Sequence, residues 1–360
     1  MHRVLLMLSV VFLGALLPPS KLHALALATG CQWLYSAGGV GQFANLFVDP
    51  DATPLPNLRF GTAFVESSNI ARNGLLDFDG DNRQDVFRTV PRQDGFLQWQ
   101  YSPGGAGAWV NLAYTGIPLD DLRFGDFDGD RRTDVFAAVP QADGSRQWSY
   151  SASGVANFAV LKTISAAAHT LYGIPQPGDF DGDGVTDLFV TEPRLDGAWQ
   201  WKYAPGGTGA FVNLAYATIL PADLRFGDFN NDRKTDVFAV VPQPDGSKQW
   251  SYSAGGAANF VVLKTVSAVL DTLYGIPQIG DFDGDSISDL FVTEPRLDGA
   301  WQWQYAPGGA GDFVDLNYAT VRPADLRFGQ FNGADDGLKT DIFAAPDCSQ
   351  FNLHLPVIVR

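Results

Sequence analysis

Between residues 122 and 164, apolar and polar positions alternate in four short runs, LRFGDF, DVFAAV, RQWSYS and FAVLKTI. A period of two puts successive side chains on opposite faces of an extended chain, so each run reads as a strand. Asp143-Gly144 between the second and third runs is a hairpin signal, and a Gly-rich turn separates the third from the fourth. The unit therefore predicts four antiparallel strands, a sheet too small to bury both faces alone.

The pattern returns along the whole chain. An Asp-rich nonapeptide joins its first two runs: DFDGDNRQD at 77–85, DFDGDRRTD at 126–134, DFDGDGVTD at 179–187, DFNNDRKTD at 228–236 and DFDGDSISD at 281–289. A sixth, altered copy, QFNGADDGLKTD, spans 330–341. Successive copies start 49, 53, 49, 53 and 49 residues apart, which reveals a larger unit of 102 residues. Thus YGIPQPGDFDGD at 172–183 recurs as YGIPQIGDFDGD at 274–285, and TEPRLDGAWQW at 191–201 recurs at 293–303. Repeats of this length imply arrays of small sheets, and four strands per repeat is the size of one β-propeller blade.

Oxygen side chains at positions 1, 3, 5 and 9 of so tight a loop can converge on one hard cation; without one the carboxylates would repel each other. Four loops are complete: Asp77, Asp79, Asp81 and Asp85; Asp126, Asp128, Asp130 and Asp134; Asp179, Asp181, Asp183 and Asp187; and Asp281, Asp283, Asp285 and Asp289. The remaining loop offers Asp228, Asn230, Asp232 and Asp236, one charge fewer, and is expected to bind more weakly. Position 7 (Arg83, Arg132, Val185, Lys234 and Ile287) is expected to lend a backbone carbonyl whatever its side chain. The expected cofactor is Ca²⁺ at about five sites in a structural role. With Gln330 and Asn332, the sixth loop is a doubtful ligand set.

The motif D-x-D-G-D-x-x-x-D, preceded by R-F-G and followed by a V-F or L-F strand, resembles the FG-GAP/VCBS repeats. Those repeats build calcium-binding propellers in the integrin α head and in many secreted bacterial proteins. The resemblance covers roughly residues 31–346 and implies an all-β propeller in which each metal loop sits between the first two strands of a blade. It is specific for fold and metal and not for ligand.

Six metal loops and six Q-W-x-Y hairpins (32–35, 98–101, 147–150, 200–203, 249–252 and 302–305) run out of phase along the chain. A ring resolves this, with strands within 327–345 and 31–48 sharing one blade. Six blades are favoured. A seventh is possible if the long stretch 49–76, where Leu58-Arg59-Phe60-Gly61 resembles a strand start without a loop, forms extra strands and the tail Phe351–Arg360 adds another. In a whole blade Gln141 and Arg146 flank the turn and are expected to face each other; the matching positions of the shared blade are Cys348 and Cys31, the only cysteines. A disulfide clasping the ring is therefore expected.

Composition sharpens this picture. Only Glu66, Glu192 and Glu294 among the 40 acidic residues are Glu, and Asp belongs in turns and chelating loops. The net charge of −16 would fall to about −6 with five divalent ions bound, and no basic stripe invites nucleic acid. His2, Arg3 and the apolar run Val4–Leu17, followed by Ala26 and Ala28, have the layout of a secretory signal. The alternative is a lipoprotein signal ending at Cys31. The domains expected are a signal peptide at 1–28, the propeller at 29–348 and a tail at 349–360 that is a closing strand or a sorting signal. No stretch of the mature chain is long and apolar enough to span a bilayer.

Trp99, Trp148, Trp201, Trp250 and Trp303 occupy equivalent third-strand positions, as blade-to-blade packing requires. Trp199 and Trp301, two residues earlier, are candidate platforms for a ligand as well as for packing. No G-x-S-x-G or H-E-x-x-H motif is present, and neither His169 nor His354 stands beside a nucleophile, so no catalytic residues are assigned. The expectation is a secreted or cell-surface monomer, non-catalytic, that binds an extracellular glycan or protein. The alternatives are a propeller lectin with repeated sugar sites and a polysaccharide lyase or hydrolase. Identical sites in each 102-residue unit favour multivalent binding, whereas an enzyme calls for one deviant unit with clustered acid/base residues.

Overall fold

The computed structural model describes residues 31–344, except 41, 52, 54, 61–75 and 332–338. The signal segment, the tail, Cys348 and most of the sixth loop thus lie outside the described residues. Six four-stranded antiparallel sheets form a six-bladed β-propeller. The unit at 122–164 folds as Leu122–Gly125, Asp134–Pro140, Arg146–Ser151 and Ala159–Ile164, paired in sequence order. Among the described residues no helix is long and apolar enough to cross a membrane.

The first blade is shared as the phase shift predicts. Leu326–Gly329 and Asp341–Ala344 come from one end of the chain, and Cys31–Ser36 and Ala44–Asp49 from the other. Leu34, Tyr35 and Ser36 pair with Ala344, Phe343 and Ile342. The option of a seventh blade falls away, because Leu58–Arg59 is the first strand of the second blade and pairs with Arg88 and Phe87. The residues that lengthen this stretch, 61–75, follow that strand and precede its metal loop.

The premise for the cysteine clasp also needs correcting. Arg146 pairs with Pro140, and Gln141 instead takes its turn hydrogen bond from Ser145, whose carbonyl accepts from the Gln141 N–H at 2.9 Å. The two positions expected to oppose each other are one residue out of register, because the Asp143-Gly144 turn closes on 141 and 145 rather than on 141 and 146.

Blade-to-blade packing is aromatic. Trp33, Trp99, Trp148, Trp201, Trp250 and Trp303 are at most 1% exposed, one in each blade. Each meets a ring from the next blade edge-on: Trp109, Phe158, Phe211, Phe260, Phe313 and Phe43, at centroid separations of 5.5, 5.8, 5.9, 5.9, 6.1 and 5.5 Å. None of the six indole N–H groups has a conventional acceptor. The edge-on ring of the next blade is the aromatic contact that recurs at all six. The circuit closes from the sixth blade back to the first.

Linkers between blades alternate. Short helices Ala166–Tyr172 and Ala268–Tyr274, capped by Ser165 and Ser267, occupy the longer connections, and 3-10 turns such as Pro221–Asp223 occupy the shorter ones. This is the structural form of the 49/53 alternation. The connection from the first blade to the second, where a third helix would complete a threefold, holds the 3-10 turn Leu55–Asn57 instead.

Candidate metal centres and the opposite face

Each of the first five loops is wound by its own carboxylates. In the first, Asp77 Oδ1 accepts from Gly80 N at 2.7 Å and Oδ2 from Asn82 N at 2.9 Å. Asp79 Oδ1 accepts from Asp81 N at 3.2 Å, and Asp81 Oδ1 from Arg83 N at 2.8 Å. The turn needs a left-handed residue at position 4, which Gly80 (φ 81°), Gly129 (79°), Gly182 (81°) and Gly284 (83°) supply, with Asn231 (60°) in the fourth loop.

Position 9 is a clamp. Both oxygens of Asp134 accept backbone hydrogen bonds at 2.8 Å, from Phe127 within the loop and from Ser153 in the turn after the third strand. Asp85, Asp187, Asp236 and Asp289 repeat this geometry. Asp341 does so in the altered sixth loop, with Phe331 and Gly38. The clamp thus survives where the other ligand positions have changed.

The loops are also strung together. Thr133 at position 8 donates its N–H to the Asp77 carbonyl of the preceding blade at 2.8 Å, and its Oγ1 accepts from Asp77 N at 2.7 Å. Thr186, Thr235, Ser288 and Thr340 make the same reciprocal pair with Asp126, Asp179, Asp228 and Asp281. At the last joint, Gln84 N donates to Gln330 O at 2.7 Å, so the chain of loops is also a closed circle.

Carboxylate oxygens of Asp77, Asp79 and Asp85 lie within 4.8 Å of one another, as do those of Asp126, Asp128 and Asp134, of Asp179, Asp181 and Asp187, and of Asp281, Asp283 and Asp285. That spread suits oxygens around a single ion bonded at 2.3–2.6 Å. Three of the four predicted carboxylates converge in each complete loop. The exposed Asp81, Asp130 and Asp183 stand outside the first three groups, and the buried Asp289 stands outside the last. The fourth loop forms no such group among the described residues; Asn230 Nδ2 donates to Asp232 Oδ2 at 3.0 Å instead.

Without a cation these groups are frustrated. Burial pushes Asp85 and Asp289 up to about 8 and Asp134, Asp187 and Asp236 to about 7, despite the N–H groups they accept from, and neighbouring carboxylates add to the rise. Asp179 and Asp281 are raised to about 6 by the same causes. The donor set therefore fits a hard divalent ion.

Position-7 side chains do something the sequence reading left aside: they lean on the loop of the preceding blade. Arg132 Nε lies 3.4 Å from where a Cβ of Gly80 would stand, and Lys234 Cγ 3.3 Å from that of Gly182. Val185 covers Gly129 in the same way, at 3.7 Å.

The opposite face carries the turns between second and third strands. There the guanidiniums of Arg92, Arg194 and Arg296 each lie 4.2 Å over the rings of Tyr114, Tyr216 and Tyr318, themselves 52%, 58% and 53% exposed. Each arginine is also paired with Asp94, Asp196 or Asp298 and bonded to Gln98, Gln200 or Gln302. The recurring R-x-D-G turn was the visible signal; its tyrosine, 22 residues on, becomes a neighbour only through strand pairing. Trp199 and Trp301 sit on the other face of the same strands, half-buried against their blades' apolar clusters.

One joint departs from the repeat. Arg88 replaces the apolar residue found at Ala137, Val190, Ala239, Val292 and Ala344, and is 4% exposed. It stacks on Trp109 at 3.8 Å and bonds to Asp51 (2.5 Å), Thr53 (2.5 Å) and Gln100 (2.9 Å). Asp49 accepts from Thr53 N and Trp109 Nε1. Burial opposes its ionisation, but these bonds outweigh it and hold its carboxyl below the usual value. The polar groups of this cluster are spent on one another, as in a latch between the first and second blades.

The family model of FG-GAP-like repeats matches residues 126–190 and 179–239. No curated protein matches the chain. Similar solved structures include a putative TolB from Agrobacterium tumefaciens (10% identity, 88% of this chain and 98% of that one, TM-score 0.47). Others are a mutant AofleA from Arthrobotrys oligospora (13%, 79% and 88%, 0.41) and a mutant Aleuria aurantia lectin in complex with α-methyl-L-fucoside (11%, 68% and 77%, 0.36). The matched loop recurs in five blades and the clamp and hairpin in all six, so the structure is a six-bladed β-propeller that carries FG-GAP-like repeats.

Proposed function

We propose that this chain is an exported, calcium-stabilised propeller that acts as a multivalent, non-catalytic binding module for an extracellular ligand. The observation that carries the reading is the threefold repetition of one exposed constellation, Arg–Tyr–Asp–Gln, at 102-residue intervals on the face away from the metal loops. Equivalent sites on a rigid ring multiply a weak contact without any new one, because the second engagement is intramolecular. The one deviant cluster, around Arg88, is buried and internally paired, which speaks for structure rather than acid/base chemistry.

Calcium is the ion that three to four hard oxygens in a flexible turn suit best, and the N-terminal signal pattern agrees with a compartment where calcium is plentiful. The test is a glycan array probed with the purified protein in calcium, alongside the Tyr114→Ala/Tyr216→Ala/Tyr318→Ala variant. Binding that the variant loses supports the reading. Binding that survives the triple substitution moves the ligand site elsewhere, and hydrolysis or eliminative cleavage of any arrayed glycan would overturn the non-catalytic part.

A further inference from the structure

The first strands line the axis of the propeller, and one position on them carries an unexpected charge. The residues paired with the second-strand phenylalanines Phe87, Phe136, Phe189, Phe238, Phe291 and Phe343 read Arg59, Arg123, Gln176, Arg225, Gln278 and Arg327, all but Arg59 standing three before the loop that follows. First strands of neighbouring blades, such as Leu122–Gly125 and Gln176–Gly178, lie side by side. In a chain whose net charge is −16, four arginines in six places around one axis are notable. At about 3.3 Å per residue they stand roughly 10 Å from the metal loops, toward the opposite face.

All four guanidiniums are held alike. Arg123 Nη1 donates to Asp120 O at 2.8 Å and Leu122 O at 2.7 Å. Arg225 bonds to Ala222 O and Leu224 O, Arg327 to Ala324 O and Leu326 O, and Arg59 to Pro56 O and Leu58 O, all at 2.7–3.0 Å. These bonds use one nitrogen of each fork and fix its plane. Counter-charges are few. Asp120 is taken by Arg59, and Asp325 by Arg322. Asp121 and Asp223 favour the charged forms of Arg123 and Arg225 but make no ion pair with them among the described residues. Burial lowers the pKa of Arg123, Arg225 and Arg327, and Arg59 repels both Arg123 and Arg327.

We propose that the axial mouth on the face away from the metal loops is a binding site for an oxyanion, a sulfate or carboxylate group, held by Arg123, Arg225 and Arg327 with Arg59 beside them. The fixed, half-desolvated guanidiniums of Arg123, Arg225 and Arg327 have no ion-pair partner among the described residues and match the two-oxygen geometry of such groups. A bound anion relieves the repulsion that Arg59 exerts on Arg123 and Arg327. The group comes from a free inorganic anion or from an acidic sugar. In the second case the site deepens the binding-module reading by adding a central acidic-glycan contact to the peripheral Arg–Tyr sites.

The test is isothermal titration of the calcium-loaded full chain with sodium sulfate and with tetragalacturonate, against sodium chloride of matched ionic strength and neutral maltotetraose. The companion is Arg225→Gln/Arg327→Gln; the fold accepts glutamine there, as at Gln176 and Gln278. Saturable binding of sulfate, galacturonate or both, weakened at least tenfold in the variant while its calcium-dependent melting is unchanged, supports the site. Sulfate alone assigns a free anion; galacturonate identifies the acidic sugar. No saturable response in the parent chain, or equal affinities in parent and variant, overturns it. A glycan array that stays silent while sulfate binds would sink the module and leave the axial site standing; neutral glycans bound with no anion response would do the reverse.

Discussion

Positions 9 and 3 of each complete loop are both Asp, yet they do different work. Asp134 locks two buried N–H groups whether or not a metal is present, whereas Asp128 accepts only a 3.2 Å bond within the loop. Asp134→Ala should therefore cost about 2 kcal/mol or more in EDTA as well as in calcium, since buried donors lose their acceptor. Asp128→Ala should leave the EDTA melting curve near that of the parent and reduce the calcium-induced gain; comparing the two variants by calorimetry in both buffers checks the division. Position 7 offers a second test. Lys234 overlies the third loop where Val185 overlies the second, and a water-screened lysine charge at the end of its side chain opposes a nearby divalent ion by on the order of 1 kcal/mol. Lys234→Val should tighten the third site roughly fivefold and Val185→Lys weaken the second comparably, read by calcium titration of loop-specific tryptophan or terbium signals. Unchanged affinities would show that the side chains point their charge to solvent.

At the scale of the blade, the third strand dominates. Trp201 is fully buried and touches Phe189 in its own blade and Phe260 in the next. Its removal in Trp201→Ala should cost about 3–5 kcal/mol, far more than Trp199→Ala, whose side chain is only half-buried; urea midpoints would separate them. The blades were legible in the sequence because strand period, Asp-Gly turn and Trp position each report a local constraint. The metal loops were legible because nine consecutive residues contain all their ligands. The Arg–Tyr stacks were not, because Arg194 and Tyr216 meet only through the register that places Gln200 against Tyr216, with a bulge between Gln200 and Lys202. Nor were the two seven-residue helices, although Ser165 and Ser267 are their N-caps; a stretch that short shows too few turns for its periodicity to be read. The misjudged Gln141–Arg146 register came from counting to a turn without knowing which residues it closes on.

Across the whole molecule, the buried carboxylates set the response to metal and acid. In EDTA the folded chain holds Asp85 and Asp289 near pKa 8 and Asp134, Asp187 and Asp236 near 7, against about 4 when unfolded. The folded state then binds more protons at these groups, so their contribution to metal-free stability is fully present below about pH 4 and is lost as pH rises through 7 to 8. Calcium needs the ionised forms, so the gap between calcium and EDTA melting temperatures should widen from pH 5 to pH 8. A gap that is constant or narrows with pH would count against buried carboxylates as the ligands. Peptide mapping without reductant checks the remaining expectation: a Cys31–Cys348 linkage upholds the clasp, and two free thiols dismiss it.

The first blade gives the molecule a mechanical seam. Its two middle strands come from opposite ends of the fold and share three registered pairs among the described residues, Leu34–Ala344, Tyr35–Phe343 and Ser36–Ile342. Because these strands are antiparallel and Leu34 faces Ala344, tension applied through Cys31 and Ala344 pulls on the same end of the seam and peels it pair by pair. The other five sheets, each threaded by one continuous stretch, feel none until the seam parts. Under load the ring would thus open as a hoop opens at its weld, with five blades still folded and their metal loops intact, ready to close again when the pull is released.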